Sequence, residues 1–288
     1  MTPRVRRLPA LVAATLCAVL ALVAVPVAIS PAATGADRWA PADRATITPG
    51  VQMFTKGAQC TANFVFTDRK GRVYVGYAAH CAGLGEATDT NGCTTPSHPL
   101  GTRVRFATGA NLVDGGTTVG FGRLRYSSWI SMVDRGVTRA NPCEYNDFAL
   151  VKVNRAHVGK VNPTMPGFGG PTRLRRGRID DGATVHTYGS SSLRPLEPLS
   201  PKSGTVLATR GGGWSREVYT LTPGIPGDSG SGFLDAQGRA LGTLSTVALA
   251  PVPGSNGVAN LRRELRYAQR WSGIPGLRLV RGTEPFTG

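Results

Sequence analysis

Short apolar runs separated by turn residues dominate the chain from Ile47 onward. Ala62–Thr67 and Val73–Ala79 flank the turn Asp68-Arg69-Lys70-Gly71 and predict a β-hairpin. Seven further runs predict strands: Thr117–Tyr126, Phe148–Val153, Thr184–Tyr188, Thr205–Thr209, Glu217–Thr222, Gly232–Leu234 and Ala240–Val247. Frequent glycine (38) and proline (21) fit many short strands joined by tight turns. The pattern therefore predicts an all-β fold.

One helix is predicted, near the carboxyl end of the chain. Asn260 is a helix-capping residue, and Leu261, Leu265 and Ala268 recur on one face of a helix through about Trp271. Residues 162–182 are rich in proline, glycine and arginine, which marks a boundary between two halves of the chain.

The first 36 residues have the pattern of a secretory signal peptide. Three arginines precede an uncharged apolar run from Leu8 to Ile29, and small residues follow it up to Ala36. The run is long enough to serve as an uncleaved membrane anchor instead. Because Pro9 and Pro26 interrupt it, we favour a cleaved signal peptide and a secreted protein, with residues 37–46 as a short leader.

The high net positive charge of the chain raises nucleic-acid binding as an alternative function. Removing residues 1–36 takes away three arginines and lowers the formal net charge from +16 to about +13. Such a charge is compatible with nucleic-acid binding, but the basic residues are scattered and no nucleic-acid-binding module is visible. We expect no nucleic-acid partner, and a charged surface that associates with anionic cell-wall polymer.

Cysteine usage supports export. Cys17 lies in the signal peptide, which leaves Cys60, Cys81, Cys93 and Cys143. Four cysteines in an exported chain suggest two disulfides with three alternative pairings. Zinc is the alternative, but no two of these cysteines have the spacing of zinc ligands. We expect no metal and no organic cofactor.

Three segments carry candidate chemistry. In the segment Gly227-Asp228-Ser229-Gly230, the glycines allow a sharp turn that leaves a serine hydroxyl accessible and backbone N–H groups free for an oxyanion. His80 follows an apolar strand and two alanines, which leave space around an imidazole. Asp147 precedes an apolar strand, where its carboxylate can hold one imidazole nitrogen. Each feature alone has an ordinary structural explanation; together they stand in the order His, Asp, Ser.

This order and these motifs resemble the chymotrypsin/trypsin-like serine protease family, in particular its bacterial secreted branch. The matching stretches are Ala78-Ala79-His80-Cys81, Asp147-Phe148-Ala149-Leu150 and Gly227-Asp228-Ser229-Gly230, and the similarity covers residues 47–272. The resemblance implies two six-stranded antiparallel β-barrels and a C-terminal helix. It places the first barrel at 47–165, the second barrel with the helix at 166–272, and a tail at 273–288.

The resemblance also implies the roles of individual residues. His80 would be the general base, Asp147 its orienting acid and Ser229 the nucleophile, and the N–H groups of Gly227 and Ser229 would form the oxyanion hole. Ser245 resembles a serine that lines the substrate strand, although it is equally readable as a plain strand residue. The resemblance further implies the disulfides Cys60–Cys81 and Cys93–Cys143.

The expected function is that of a secreted serine endopeptidase acting on polypeptide. Pro223 stands where trypsin-like members place an aspartate, so a substrate lysine or arginine would have no partner, and specificity of the trypsin type is not expected. Two alternatives remain: a catalytically silent relative that binds a partner, and an esterase that uses the same three residues.

Overall fold

The computed structural model describes residue 1 and residues 38–86, 89–194, 199–247 and 252–288. Apart from its first residue, the predicted signal peptide therefore lies outside the described residues. Within these ranges no helix is both long and apolar enough to cross a membrane.

The first half of the chain forms a closed antiparallel barrel. Its strands are β1 (Gln52–Thr55), β2 (Ala58–Thr61), β3 (Val65–Thr67), β4 (Val73–Tyr77), β5 (Arg103–Thr108), β6 (Thr117–Ser127) and β7 (Ala149–Val153). Residues 62–64 keep β2 and β3 continuous, because Ala62 N–H donates to Val51 and Asn63 N–H donates to Gly76. With β2 and β3 counted as one bent strand, six strands close in the order β1, β2/β3, β4, β7, β6, β5.

The second half forms another closed barrel. Its segments are β8 (Arg173–Leu174), β9 (Thr184–Tyr188), β10 (Pro201–Arg210), β11 (Ser215–Thr220), β12 (Gly232–Asp235), β13 (Arg239–Val247) and β14 (Asn256–Asn260). Pairing of β12 with both β9 and β13 closes six strands, β9 to β14, while β8 adds to β13 in parallel. A last strand, β15 (Arg278–Leu279), returns to the first barrel and pairs with β3.

The described residues contain three α-helices: α1 (Ser128–Asp134), α2 (Ala140–Tyr145) and α3 (Leu261–Trp271). Short 3₁₀ turns span Ala79–Ala82, Arg155–Lys160 and Gly211–Gly213. Helix α3 begins as the sequence predicts, since the Asn260 side chain accepts the Arg262 N–H at 3.1 Å and satisfies a donor that the first turn leaves free. The expected fold of two six-stranded barrels with a C-terminal helix is confirmed.

Burial of apolar side chains holds the two barrels together. Each barrel has its own core, and a third cluster lies between them, with Phe64, Phe66 and Phe148 from the first barrel against Leu234 and Leu265 from the second half. This shared core fixes the relative position of the two barrels.

Candidate active site

His80 and Asp147 meet at the ends of two neighbouring strands. The 3₁₀ turn that carries His80 follows β4, Asp147 precedes β7, and β4 pairs with β7. The Asp147 carboxylate approaches His80 Nδ1 at 2.6 Å with one oxygen and accepts the His80 backbone N–H at 2.9 Å with the other. An ionised carboxylate only accepts hydrogen bonds, so the proton of neutral His80 is held on Nδ1 and Nε2 is left as the free acceptor.

The electrostatics of the pair are mutual. Burial lowers the pKa of His80, but the negative charge and hydrogen bond of Asp147 raise it by more, so that it lies above its ordinary value. Burial raises the pKa of Asp147, but the charge of His80 and the hydrogen bonds from His80 and Ser245 lower it by more. Asp147 is therefore ionised at neutral pH, although only 3% of its side chain is exposed.

The second barrel contributes a third donor to Asp147. Ser245 lies on β13, and its hydroxyl donates to Asp147 Oδ2 at 2.6 Å. Two residues earlier on the same strand, Thr243 donates to Glu264 of α3 at 3.0 Å. Burial first, and the charge of Asp147 second, raise the pKa of Glu264 well above its ordinary value, which favours the uncharged form of this acid behind Asp147.

Ser229 is placed by a loop that docks on the first barrel. Its carbonyl accepts the Thr61 N–H at 2.8 Å, and the Thr61 hydroxyl donates to the Gly227 carbonyl at 2.7 Å. Gly230 has φ +89°, and a Cβ there would lie 2.6 Å from the Thr61 carbonyl and 2.9 Å from the Ala78 nitrogen. Only glycine allows this approach, which brings the serine to the strand end that leads into His80.

Ser229 is half-buried, and within the described ranges no hydrogen bond joins its hydroxyl to His80. Hydrogen bonds of this kind are often long in unliganded enzymes and tighten when substrate binds. The loop geometry thus brings Ser229 to the His80 side of the cleft, without forming the serine–histidine bond.

Two backbone N–H groups of this loop are free. The N–H groups of Gly227 and Ser229 donate to no acceptor in the described part of the chain, whereas the N–H of Asp228 between them donates to Ile225. The Ser191 hydroxyl donates to the Pro226 carbonyl at 2.5 Å, so the N–H of Gly227, trans across the same peptide plane, points the opposite way. Free N–H groups fixed in this manner can stabilise an oxyanion.

The Asp228 side chain anchors the loop that carries Ser229 to the second half of the chain. Its side chain is fully buried and pairs with Lys202 at 2.6 Å and with Arg194, and its oxygens also accept the N–H groups of Ser191 at 3.1 Å and Ile225 at 3.3 Å. Both cations come from the same chain and belong to the second half. The negative charge of Asp228, the residue before Ser229, is therefore paired with two cations of the same chain.

The remaining candidate residues lie around this centre. Pro223 is exposed and its ring lies beside Gly254. The disulfide Cys60–Cys81 braces the turn that carries His80, and Cys93–Cys143 joins the loop after that turn to α2, just before Asp147. Ligand atoms of Cys60, His80 and Cys81 lie within 4.8 Å of one another, but both sulfurs are bonded in the disulfide and offer no thiolate to a metal.

Several residues of the site have no signal in the sequence. Thr61, Ser191, Arg194 and Lys202 act over separations of 26 to 166 residues through single polar contacts. The buried Trp129 ring lies 6.3 Å from the His80 ring, measured between centroids. A buried acid needs cationic partners, so the burial of Asp228 explains Lys202 and Arg194 once the structure is known.

No protein-family model and no curated protein matches the chain. Among solved structures, a Glu endopeptidase in complex with MPD has a TM-score of 0.50 at 15% identity and covers 79% of this chain and 92% of its own. Protease A of Thermobifida fusca (TM-score 0.49, 16% identity, 82% and 99% covered) and a Nocardiopsis protease (0.48, 18%, 81% and 98%) are also similar. At such identities the likeness of the first shows the fold alone, which is the two-barrel fold of chymotrypsin-like proteases.

Proposed function

We propose that this chain, which has the chymotrypsin-like fold, is a secreted serine endopeptidase that cleaves polypeptides through an acyl-enzyme on Ser229. One observation carries the proposal: the ionised, buried Asp147 holds His80 in the tautomer whose free Nε2 can accept a proton. The signal-peptide pattern and the two disulfides support export.

In the proposed reaction, Ser229 Oγ attacks the carbonyl carbon of the scissile bond as its proton passes to His80 Nε2. The free N–H groups of Gly227 and Ser229 stabilise the oxyanion. The tetrahedral intermediate then collapses, the C–N bond breaks, and the leaving amine takes the proton from His80. Water repeats the sequence on the ester, regenerates Ser229 and releases the acid.

The proposed substrate preference rests on the family resemblance, which assigns Pro223 to the specificity pocket, whereas in the structure Pro223 is exposed beside Gly254. Pro223 supplies no carboxylate, so a substrate lysine or arginine at the cleavage site would have no counter-ion from this residue. We therefore expect cleavage after uncharged or acidic side chains. Terminal sequences of the peptides released from casein would determine the preference.

The test is casein hydrolysis by the protein secreted from an expression host, beside Ser229→Ala prepared in the same way. Cleavage by the parent and none by the variant supports the proposal. Equal casein cleavage by the parent and the variant would refute a role for Ser229. Hydrolysis of small esters by the parent without casein cleavage would indicate that the protein is an esterase and not an endopeptidase.

The missing Ser229–His80 hydrogen bond favours one second candidate, a catalytically silent protein that uses the cleft for binding. A silent relative would bind polypeptide without hydrolysing casein or small esters. It would also resist covalent labelling at Ser229.

A further inference from the structure

A row of basic side chains crosses the outer face of the first barrel. Arg103 on β5 lies opposite Arg123 on β6, and Arg123 lies opposite Lys152 on β7. All three are exposed, and neighbouring strands are about 4.8 Å apart, so three positive charges project from one face within about 10 Å. Like charges directly opposite one another destabilise a sheet, so these three side chains do not stabilise the barrel through their charges.

The row lines a groove of about 790 Å³ that contains two more cations, Arg125 and Arg155, and no acid. We call these five residues the cationic face: Arg103, Arg123, Arg125, Lys152 and Arg155. Across the described ranges, none of the five lies within ion-pair distance of a carboxylate. The face therefore carries an unneutralised positive charge.

Two of its guanidinium groups are held in place. Arg103 stacks over the Phe121 ring at 3.6 Å from the centroid, and Arg123 Nη1 donates to the Gly101 carbonyl at 3.0 Å. Each of these groups keeps further N–H donors for a ligand. Because the side chains are already ordered, binding an anion costs them less conformational entropy.

We propose that the cationic face binds a linear polymer with phosphodiester or polyphosphate charges. Guanidinium groups match phosphate oxygens in two-bond geometry, and four of the five cations are arginines. A row across three strands fits an extended chain better than a single small anion. The proposal gives a location to the anionic-polymer association that the net charge suggested.

The face lies away from the cleft. Lys152 of β7 follows Asp147 by five residues, which is roughly 16 Å of extended chain. A polymer bound there would leave the cleft open. The face would hold the protein on a polyanionic matrix while polypeptide substrates still reach His80.

The experiment measures fluorescence anisotropy of two labelled phosphate polymers, inorganic polyphosphate and oligothymidylate, against salt concentration, with poly-glutamate of matched charge as the carboxylate probe. The variant Arg103→Gln/Arg123→Gln/Lys152→Gln should bind both polymers at least about tenfold more weakly. The slope of the logarithm of the binding constant against the logarithm of salt concentration should become shallower by about 2, which is near 0.7 for each lost phosphate contact. The control Arg176→Gln/Arg178→Gln/Arg266→Gln removes equal charge from exposed sites elsewhere and should keep the parent slope. Thermal unfolding of both variants checks that they are folded.

Equal weakening by the two triple variants would overturn the proposal in favour of general attraction by net charge. Binding of poly-glutamate as tight as that of polyphosphate would overturn the assignment to phosphate. Equal binding of both phosphate polymers supports recognition of the backbone. Tighter binding of oligothymidylate that Phe121→Ala removes also supports the proposal and makes nucleic acid the source.

Discussion

The substitution Asp147→Asn tests the orientation of His80 most specifically. The two carboxylate oxygens of Asp147 have different hydrogen-bond partners. Oδ1 accepts the His80 backbone N–H, and Oδ2 lies 2.6 Å from His80 Nδ1 and from Ser245 Oγ. The backbone N–H is a fixed donor, so an asparagine must place its oxygen there. The NH₂ group of the asparagine then donates a hydrogen bond to His80 Nδ1. Nδ1 must therefore be unprotonated, and the imidazole proton moves to Nε2.

With Nε2 protonated, His80 cannot take the proton of Ser229 while the heavy atoms stay in place. For a triad of this kind the wrong tautomer lowers kcat by about 10⁴, or about 5.5 kcal/mol of transition-state stabilisation. The assay is kcat for hydrolysis of an activated peptide ester near pH 7, with thermal unfolding as the check of folding. The matched control is Asp134→Asn, an exposed aspartate at the end of α1, which should retain parent activity.

A folded Asp147→Asn protein whose kcat falls less than about tenfold would refute this reasoning, because the tautomer would not then limit proton transfer. An equal loss in Asp134→Asn would show instead that charge or preparation, not the His80 contact, explains the effect.

Four further results are expected. Because His80 must be neutral and its pKa is raised above 6.5, kcat/KM should rise with pH through a midpoint above 6.5, and a midpoint below that value would contradict the Asp147 contact. Gly230→Ala should abolish casein cleavage, since its Cβ would meet the Thr61 carbonyl at 2.6 Å; parent-level activity would show that the docking of the loop is dispensable. Lys202→Met should cost about 1–3 kcal/mol in urea unfolding and lower kcat, because buried Asp228 keeps only Arg194; an unchanged midpoint and kcat would remove Lys202 from the anchor. Replacing Cys93 and Cys143 by serine should cost up to about 4 kcal/mol, as their bridge closes a separation of 50 residues, and an unchanged unfolding midpoint would argue against that bridge.

The sequence was most informative where local pattern and local chemistry agree. The run Thr184–Tyr188 is a strand with those bounds, and Asn260 caps α3 as its side chain predicts. His80 and Asp147 could be recognised because each stands at the end of an apolar run, where pairing of β4 with β7 brings the two together.

Helix α1 was not predicted, and the reason is physical. Strand β6 runs into the helix at Ser128 with no proline or glycine between them, and the Ser127 side chain makes no capping hydrogen bond. The apolar residues of the segment read equally well as strand. The segment is helical because tertiary packing buries Trp129 and Met132 in that conformation.

The long-range polar contacts were also beyond a single sequence. Lys and Arg are seldom buried, and nothing near Lys202 or Arg194 indicates that both reach Asp228. The cationic face depends on strand register, which a single sequence leaves open where turn lengths vary.

The most direct test of the central claim is covalent labelling of the secreted protein by a serine-directed sulfonyl fluoride, followed by intact mass and peptide mapping. Ser231→Ala is the matched control, because this buried serine lies two residues away in the same loop. The account predicts one label per chain, on Ser229, in the parent and in Ser231→Ala, and none in Ser229→Ala or after mild acidification that protonates His80. A folded parent protein that stays unlabelled at neutral pH, or that is labelled equally in Ser229→Ala, would contradict it.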